Sequence, residues 1–514
     1  MSLVVLFIAS CFLYLLYNRE VTRLRRIPGP FLASISQIWI VLQQRGRQRP
    51  LIDLALHRKY GSIVRIAPNE VLVSSPQSKK IIYGAASKFT KGDWYSATDD
   101  CGWSGSDHLD LLPELNMEKY RFQRRLIGAA YTASFMKELE SGLDDILEKN
   151  LMIMSQRAGM TVNIDTFFAY FASDCVQMAT FGKSLGFVEA NADCGAIAFG
   201  HQLWLYMHWV GYLPIIHRTR LWYIHAILPK YKRLSSLFPQ IRLDLNKPEP
   251  KAAPQKQKVS IYKFTADEVN QRIEKNVLPS HIHTIADKLF QIQAEKPALQ
   301  DNWIKDMCIS GFNAGVETIG ITISTFLSFV ISHPGCQEKI QIEVDEAKAA
   351  GMLSSVPRLK EIESLPYLNA CLSESRRLHP PFAHPLARVV PKGGVELEGH
   401  WIPAGTTVGV NPWVLGRDKS LYGEDADQFR PERWLEFSPE QLKIAEASSM
   451  FFGNGARSCP GQYLAEAIFT KAIPLLMMNL KFRFTEPLRE RSIESTFVTR
   501  LHNVMVQWET RGTA

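Results

Sequence analysis

Phe452-Gly-Asn-Gly-Ala-Arg-Ser-Cys459-Pro-Gly461 sets one cysteine in a loop punctuated by glycine. Arg457 stands two residues before it, and a mostly apolar run, Tyr463 to Ile468, follows. The arrangement suits a thiolate held as the axial ligand of a haem iron, because Cys supplies the soft anion such a metal takes. Gly455 and Gly461 let backbone N–H groups approach the sulfur and set its electron density. Arg457 offers a fork of donors that matches a propionate carboxylate, and Phe452 can pack against the ligand loop. Other readings of the stretch exist. A lone cysteine in an apolar sequence is most often a small buried hydrophobe. Gly453-Asn-Gly455 could open a dinucleotide-binding turn, but Ser458 replaces the third glycine of that fingerprint, and Met450-Phe451-Phe452 makes a poor strand.

At every fixed position the loop resembles the cysteine-ligand signature of the cytochrome P-450 superfamily, Phe-x-x-Gly-x-Arg-x-Cys-x-Gly. The resemblance implies a mainly α fold with small β-sheets and one large haem-binding domain. It implies haem b with Cys459 as axial thiolate and dioxygen bound on the opposite face. Electrons would come from NADPH through a flavoprotein reductase, and one oxygen atom would enter an apolar small molecule.

Length and composition leave room for this. The chain has 514 residues, 46% of them hydrophobic, ample for a large core. The net charge of +8 is modest, and no block of five like charges occurs, so nucleic-acid binding has little support. The positive excess fits an acidic partner or an anionic membrane, though most of it reads as solvated surface. Eight cysteines form no Cys-x-x-Cys pair, which argues against a disulfide framework or zinc site; seven read as free thiols in a reducing compartment. His-Glu-x-x-His and Gly-x-x-x-x-Gly-Lys-Ser/Thr are both missing, so zinc hydrolase and P-loop ATPase chemistry lose their main support.

Leu3 to Tyr17 carries no charge, and residues 1–18 just reach the ~17 residues that a short spanning helix needs. A cleaved signal peptide should begin basic and end in small residues; this segment does neither. Arg19, Arg23, Arg25 and Arg26 follow it, and by the positive-inside rule the bulk of the chain stays cytoplasmic. The expectation is a single-pass anchor at 1–18 in the endoplasmic reticulum membrane, a basic and Pro/Gly hinge at 19–30, and the catalytic domain at 31–514.

Residues 60–75 alternate as two short strands around a Pro-Asn turn. Residues 92–116 read as a long irregular loop with Trp94, Tyr95 and Trp103, and 246–258 as a surface linker. Helical patterning covers Glu118 to Glu148, and 200–225 hold a dense aromatic set. Trp303 to Ser332 reads as one helix of ~30 residues, ~45 Å long, stopped by His333-Pro334. A second membrane span fits it less well than a buried central helix, because its charge-free run is short. After Pro403 the pattern changes to short strands, turns and loops, with a last helix after the cysteine loop.

The long helix carries Ala314-Gly-Val-Glu-Thr318, whose glycine costs ~1 kcal/mol in a helix unless something flat approaches the backbone there. A carboxylate beside a hydroxyl, Glu317 and Thr318, can pass protons to a reacting centre. Read alone, the stretch is an ordinary packing notch; it also resembles the family's oxygen-activation motif. Glu374 and Arg377 share a helix face, on their own an exposed ion pair of a few tenths of a kcal/mol. They resemble the family's Glu-x-x-Arg pair, which implies a structural triad completed by Arg433 of Pro431-Glu-Arg-Trp434. The resemblance also implies propionate contacts from Arg124, in a segment where Tyr120 replaces the usual tryptophan, and from Arg388. Gly416-Arg-Asp418 departs from the commoner His-Arg-Asp. By analogy the substrate pocket draws on Phe312, Val316, Phe382, Leu386 and Phe497, with the 92–116 and 200–225 stretches. Details such as Ile27-Pro-Gly-Pro30 resemble microsomal members of fungal specialised metabolism. Two rivals remain: a haem-thiolate isomerase or dehydratase that uses no external electrons, and a non-enzymatic haem sensor. The Glu317-Thr318 pair speaks against the first.

Overall fold

Residues 5, 6, 10, 13–21, 23–98, 108–193, 195–213, 219, 261–275, 283–486 and 493–512 are described by a computed structural model. After the Pro-Gly-Pro hinge come α1 (Phe31–Ile35) and α2 (Ile38–Gln43), with Pro30 in extended backbone ahead of them. The expected hairpin forms as β1 (Ile63–Ala67) and β2 (Glu70–Val73), antiparallel about Pro68-Asn69. Further strands follow: β3 (Thr90–Lys91), β4 (Thr161–Asn163), β5 (Arg388–Val389), β6 (Val395–Leu397), β7 (His400–Ile402) and β8 (Thr407–Gly409). β9 (Leu480–Phe484), β10 (Ile493–Ser495), β11 (Thr499–Leu501) and β12 (Met505–Thr510) complete them. The largest sheet has the order β1-β2-β8-β5-β3, with β2 and β8 parallel and the other neighbours antiparallel. It joins the N-terminal hairpin to the half of the chain that carries the cysteine loop. The remaining sheets are β4-β12-β9 and the hairpins β6-β7 and β10-β11.

Helices dominate. Those that build the site are α3 (Met117–Ile127), α4 (Ile164–Phe181), α5 (Ala196–Val210), α6 (Asp301–Ser332), α7 (Pro366–Leu378) and α8 (Gln462–Asn479). Asn116 caps α3 by accepting from the N–H groups of Glu118 and Lys119, which have no partner inside the helix. α6 packs most extensively against α4. Gly320 allows the close crossing, since a Cβ there would lie 2.9 Å from the backbone of Ala169. Among the described residues α6 is the only helix long and apolar enough to cross a membrane, and it is buried in the main core.

The expected anchor at 1–18 lies in part outside the described residues; its described stretch 13–16 is helical, with Leu13 and Tyr14 exposed. Trp103, Trp222, Tyr223 and the expected linker at 246–258 lie outside them too. One expectation needs correcting. β8 follows Pro403 as expected, but four short helices then stand before the cysteine loop among turns: Pro412–Leu415, Lys419–Tyr422, Glu432–Glu436 and Pro439–Ser448. Side-chain caps from Asn411, Asp418 and Ser438 start three of them. Most last about one turn, too short for a hydrophobic period to show. The 92–116 loop also has local order, a 3-10 turn at Asp93–Thr98.

Candidate active site

The cysteine loop leaves helix Pro439–Ser448 and re-enters helix at α8. Gly453 and Gly455 take φ of +71° and +62°, the left-handed region that favours glycine. A Cβ on Gly455 would also lie 2.1 Å from the carbonyl oxygen of Tyr83, so only glycine fits against helix Pro76–Tyr83. Inside the loop the Cys459 N–H donates to Phe452 O at 2.8 Å. The Phe452 ring packs edge-on against Phe451, 4.8 Å between centroids. A Cβ on Gly461 would meet no protein atom within 4 Å, so the chain's own packing does not demand glycine there.

Cys459 is half-buried in a cavity of about 70 Å³ that it shares with Arg124, Tyr131 and Tyr463. Burial pushes its thiol up, while the Gly461 N–H and the Arg124 charge pull it back down. Arg124 lies along the loop, donating to Ser458 O at 2.6 Å and to the Tyr120 hydroxyl at 3.2 Å. Tyr120 in turn donates to Ala456 O at 2.9 Å. Beside Cys459, Tyr131 reaches the other wall: its hydroxyl oxygen lies 3.9 Å from where a Cβ on Gly311 of α6 would stand.

Three cations meet next to this loop. In the β3–β5 ladder, Lys91 stands directly opposite Arg388. Like charges at such a position repel. Arg457 joins them, and each of the two arginines lowers the proton affinity of Lys91, below the larger effect of burial. Burial pulls the Arg457 guanidinium down to about 10. Their hydrogen-bond partners are neutral oxygens. Lys91 donates to Leu111 O and Leu112 O, Arg388 to Ala387 O and the Tyr95 hydroxyl, and Arg457 to Glu114 O. Among the described residues none of the three forms an ion pair, and Nη2 of Arg457, whose guanidinium lies 3.7 Å over the Tyr120 ring, is buried without a hydrogen-bond partner.

On the other wall, the middle of α6 is open along one stripe. Ala314 is exposed, and Gly311, Gly315 and Thr318 are half-buried, at the i, i+3, i+4, i+7 spacing of one helix face. The Thr318 hydroxyl donates back to Ala314 O at 2.7 Å. Gly315 itself points to α4, where a Cβ would sit 3.3 Å from Val176, so it is Ala314 that presents the open face. Glu317 turns from the stripe into the protein. Its Oε2 accepts from the indole N–H of Trp204 on α5 at 2.5 Å, and its Oε1 is buried without a hydrogen-bond partner among the described residues. Burial raises Glu317 to about 7, with Arg500 and the Trp204 N–H acting against that rise.

Trp204 also belongs to an aromatic column. Its ring lies 5.1 Å from Phe497, which lies 5.0 Å from Trp94, which lies 5.1 Å from His384. Phe382 meets Phe497 edge-on at 4.8 Å, and Ile321, one turn beyond Thr318, packs in the same cluster. Of the five apolar pocket candidates, Phe382 and Phe497 are therefore together. Phe312 and Val316 sit in the main core, and Leu386 packs against the cluster under the large sheet. A one-dimensional helical period shows that a residue faces something, and not whether it faces a pocket or a neighbouring helix. Trp94 and Trp204 were visible as members of aromatic stretches. Lys91 was not visible at all, because its meaning arises only from the β3–β5 register.

The Glu374 set is a hub. Arg377 grips the carboxylate through two bonds of 2.8 and 2.7 Å, Arg433 adds one at 2.9 Å, and the Trp434 indole and the Arg430 backbone N–H add two more at 2.9 Å. Glu374, Arg377 and Arg433 are buried, and the donors hold Glu374 below the usual carboxylate range despite desolvation. Arg377 also donates to Gly416 O, Ala426 O and Gln428 O. That explains the departure at Gly416: a Cβ there would lie 2.3 Å from Arg377 O.

A flat apolar body bearing two carboxylates fits what these residues offer. Among the described residues the cations form no ion pair, with Asp110 and Glu114 acting on them only from farther off, and Arg457 Nη2 lacks an acceptor; one stripe of α6 is open, and a thiol stands beside the Gly461 N–H. Comparison with known proteins agrees. The family model for Cytochrome P450 matches residues 28–508. The cytochrome P450 monooxygenase cicH of Emericella nidulans is 30% identical, over 99% of this chain and 98% of its own. The cytochrome P450 monooxygenase sdnT of Sordaria araneosa is 28% identical, over 96% and 92%. A pisatin demethylase of Fusarium vanettenii is 30% identical, over 92% and 86%. Fold, site and relatives converge: the chain belongs to the cytochrome P450 family, haem-dependent monooxygenases that hold iron on a cysteine thiolate and draw electrons from a reductase.

Proposed function

We propose that Cys459 would hold the iron of a haem b as its thiolate, and that Arg388, Arg457 and Lys91 would take the propionates. The cation set carries this reading: Lys91 and Arg388 are buried, and one Arg457 nitrogen is buried without a hydrogen-bond partner among the described residues. When bound, the haem supplies reductive activation of dioxygen. The chain's own residues do the rest. Arg124 and the Gly461 N–H favour the charged form of the sulfur. Gly455 and Phe452 fix the loop, and the Glu374–Arg377–Arg433 hub fixes the frame behind it. Glu317, near pKa 7, holds or releases a proton at working pH, with its Oε1 not engaged in any hydrogen bond among the described residues. Trp94, Trp204, Phe382 and Phe497 form an apolar, ring-lined side that excludes water and suits a small apolar substrate.

The enzyme works at the endoplasmic reticulum membrane, held by segment 1–18, with its domain cytoplasmic and an NADPH-dependent flavoprotein reductase as partner. Fungal relatives named as monooxygenases favour a substrate from specialised metabolism. The test is the full chain with reductase, NADPH and candidate precursors, read by mass. A product one oxygen heavier and dependent on NADPH is expected; turnover without NADPH would favour an isomerase. Cys459→Ala should abolish the carbon monoxide band of reduced thiolate-bound haem, and a surviving band would overturn the ligand assignment.

A further inference from the structure

Far from the cysteine loop, a cavity of about 340 Å³ opens where the arginine-rich hinge meets the large sheet. Arg19, Arg25, Arg26 and Arg65 line it, against a single acid, Glu20. Glu20 is already paired with Arg19 at 2.7 Å, so the lining keeps an excess of three positive charges. The walls are built rather than draped. Leu24 and Ile27 are buried in the cluster beneath β1 and β2. The Arg65 N–H donates to Pro28 O at 2.7 Å. Gly29 approaches β1 so closely that a Cβ would lie 2.3 Å from Arg65 O. The Arg65 side chain forms a buried wall, 2% exposed, and donates to Asn18 O at 2.6 Å and Pro68 O at 2.7 Å. Burial and the neighbouring Arg19 both weaken its hold on its proton, the condition of a cation that gains from an anion.

The surroundings name the source of that anion. Large apolar side chains stand exposed on α1 and α2 beside the cavity: Phe31, Leu32, Ile38 and Leu42. Arg19 lies 4.4 Å over the Phe31 ring, so cation and exposed apolar surface are adjacent. Apolar side chains beside a ring of arginines match the two levels of a membrane surface, acyl chains and phosphates. A soluble phosphate ligand would give the exposed apolar residues no role. We infer that this cavity binds the phosphate headgroup of an anionic phospholipid, with α1 and α2 lying on the acyl layer beside it. Arginine suits the task, because its fork meets two phosphate oxygens at once. The inference rests on the membrane placement proposed above and adds to it a choice among lipids.

Vesicle flotation of the full chain tests it, with phosphatidylcholine vesicles compared with vesicles containing phosphatidic acid. Binding to neutral vesicles reports the anchor, and the ratio of anionic to neutral binding reports the cavity, so the two can fail separately. The expected result is a clear preference for phosphatidic acid. Arg25→Gln with Arg26→Gln, both exposed and away from the core, should lower that preference by roughly thirtyfold and leave neutral binding unchanged. No preference in the native chain, or a preference that survives the double change, would overturn the site. Full retention by Arg25→Lys with Arg26→Lys would reduce it to unspecific charge attraction and overturn it too. Inorganic pyrophosphate raising the melting temperature as much as anionic vesicles do would assign the cavity to a soluble anion instead of a lipid.

Discussion

Gly455 and Gly461 are glycine for different reasons. At 455 a side chain collides with Tyr83 O and the backbone is left-handed; at 461 the polypeptide leaves a side chain ample room. Gly455→Ala should therefore damage the loop itself, costing about 1–3 kcal/mol of stability in thermal melts of the haem-free protein. Gly461→Ala should leave those melts unchanged and weaken haem retention, read from the ratio of haem to protein absorbance. Lys91 makes the opposite pattern. Removing one of three crowded cations with Lys91→Met should raise the melting temperature of the haem-free chain and lower haem affinity by about tenfold, as measured by haem titration. The loop glycines were legible because their spacing is local. Lys91 was not, since no feature near residue 91 hints that Arg388 stands across the ladder from it.

Between elements, a hydrogen bond from Trp204 to Glu317 ties α5 to α6 at the edge of the aromatic column. The indole N–H lowers the Glu317 pKa, so Trp204→Phe, which keeps the ring, should raise it further. The pH dependence of NADPH oxidation by the reconstituted enzyme should then shift upward by about one unit. An unshifted profile would leave Trp204 a mere packing residue. Stability carries the same sign. A carboxyl raised to about 7 keeps its proton in the folded chain where the unfolded chain has lost it. Stability therefore falls as pH rises from roughly 4.5 to 7, and Glu317→Gln should remove up to roughly 3 kcal/mol of that fall in melts across the range. The long helix and the acid–alcohol pair could be read from proline-free length and neighbouring residues. Which way Glu317 turned could not, because its partner lies on a helix more than a hundred residues away.

For the molecule as a whole, the Glu374 hub is the frame. Its buried carboxylate unites α7, the Arg430 backbone and helix Glu432–Glu436. Read from sequence, Glu374 and Arg377 could have been an exposed pair; burial is what a helical spacing cannot convey. Arg433→Ala removes one of the two arginines that balance a buried carboxylate and should cost about 3–5 kcal/mol in urea unfolding. Asp267→Asn, which breaks the exposed Lys263–Asp267 pair, should change stability by no more than about 0.5 kcal/mol. Fold class was legible throughout, since motif order, hairpin and long helix each leave a local mark. The run of short helices before the cysteine loop left none.

The sheet order β1-β2-β8-β5-β3 carries a consequence for how the chain comes into being. β2 ends at Val73, and its parallel neighbour begins at Thr407. On a ribosome adding about 5–20 residues each second, that gap lasts roughly half a minute. Throughout it the N-terminal hairpin shows a bare, largely apolar strand edge, the kind that pairs with the wrong chain. Newborn chains thus pass through a sticky interval that the finished enzyme never shows, and their yield depends on chaperones and growth temperature before any cofactor is met.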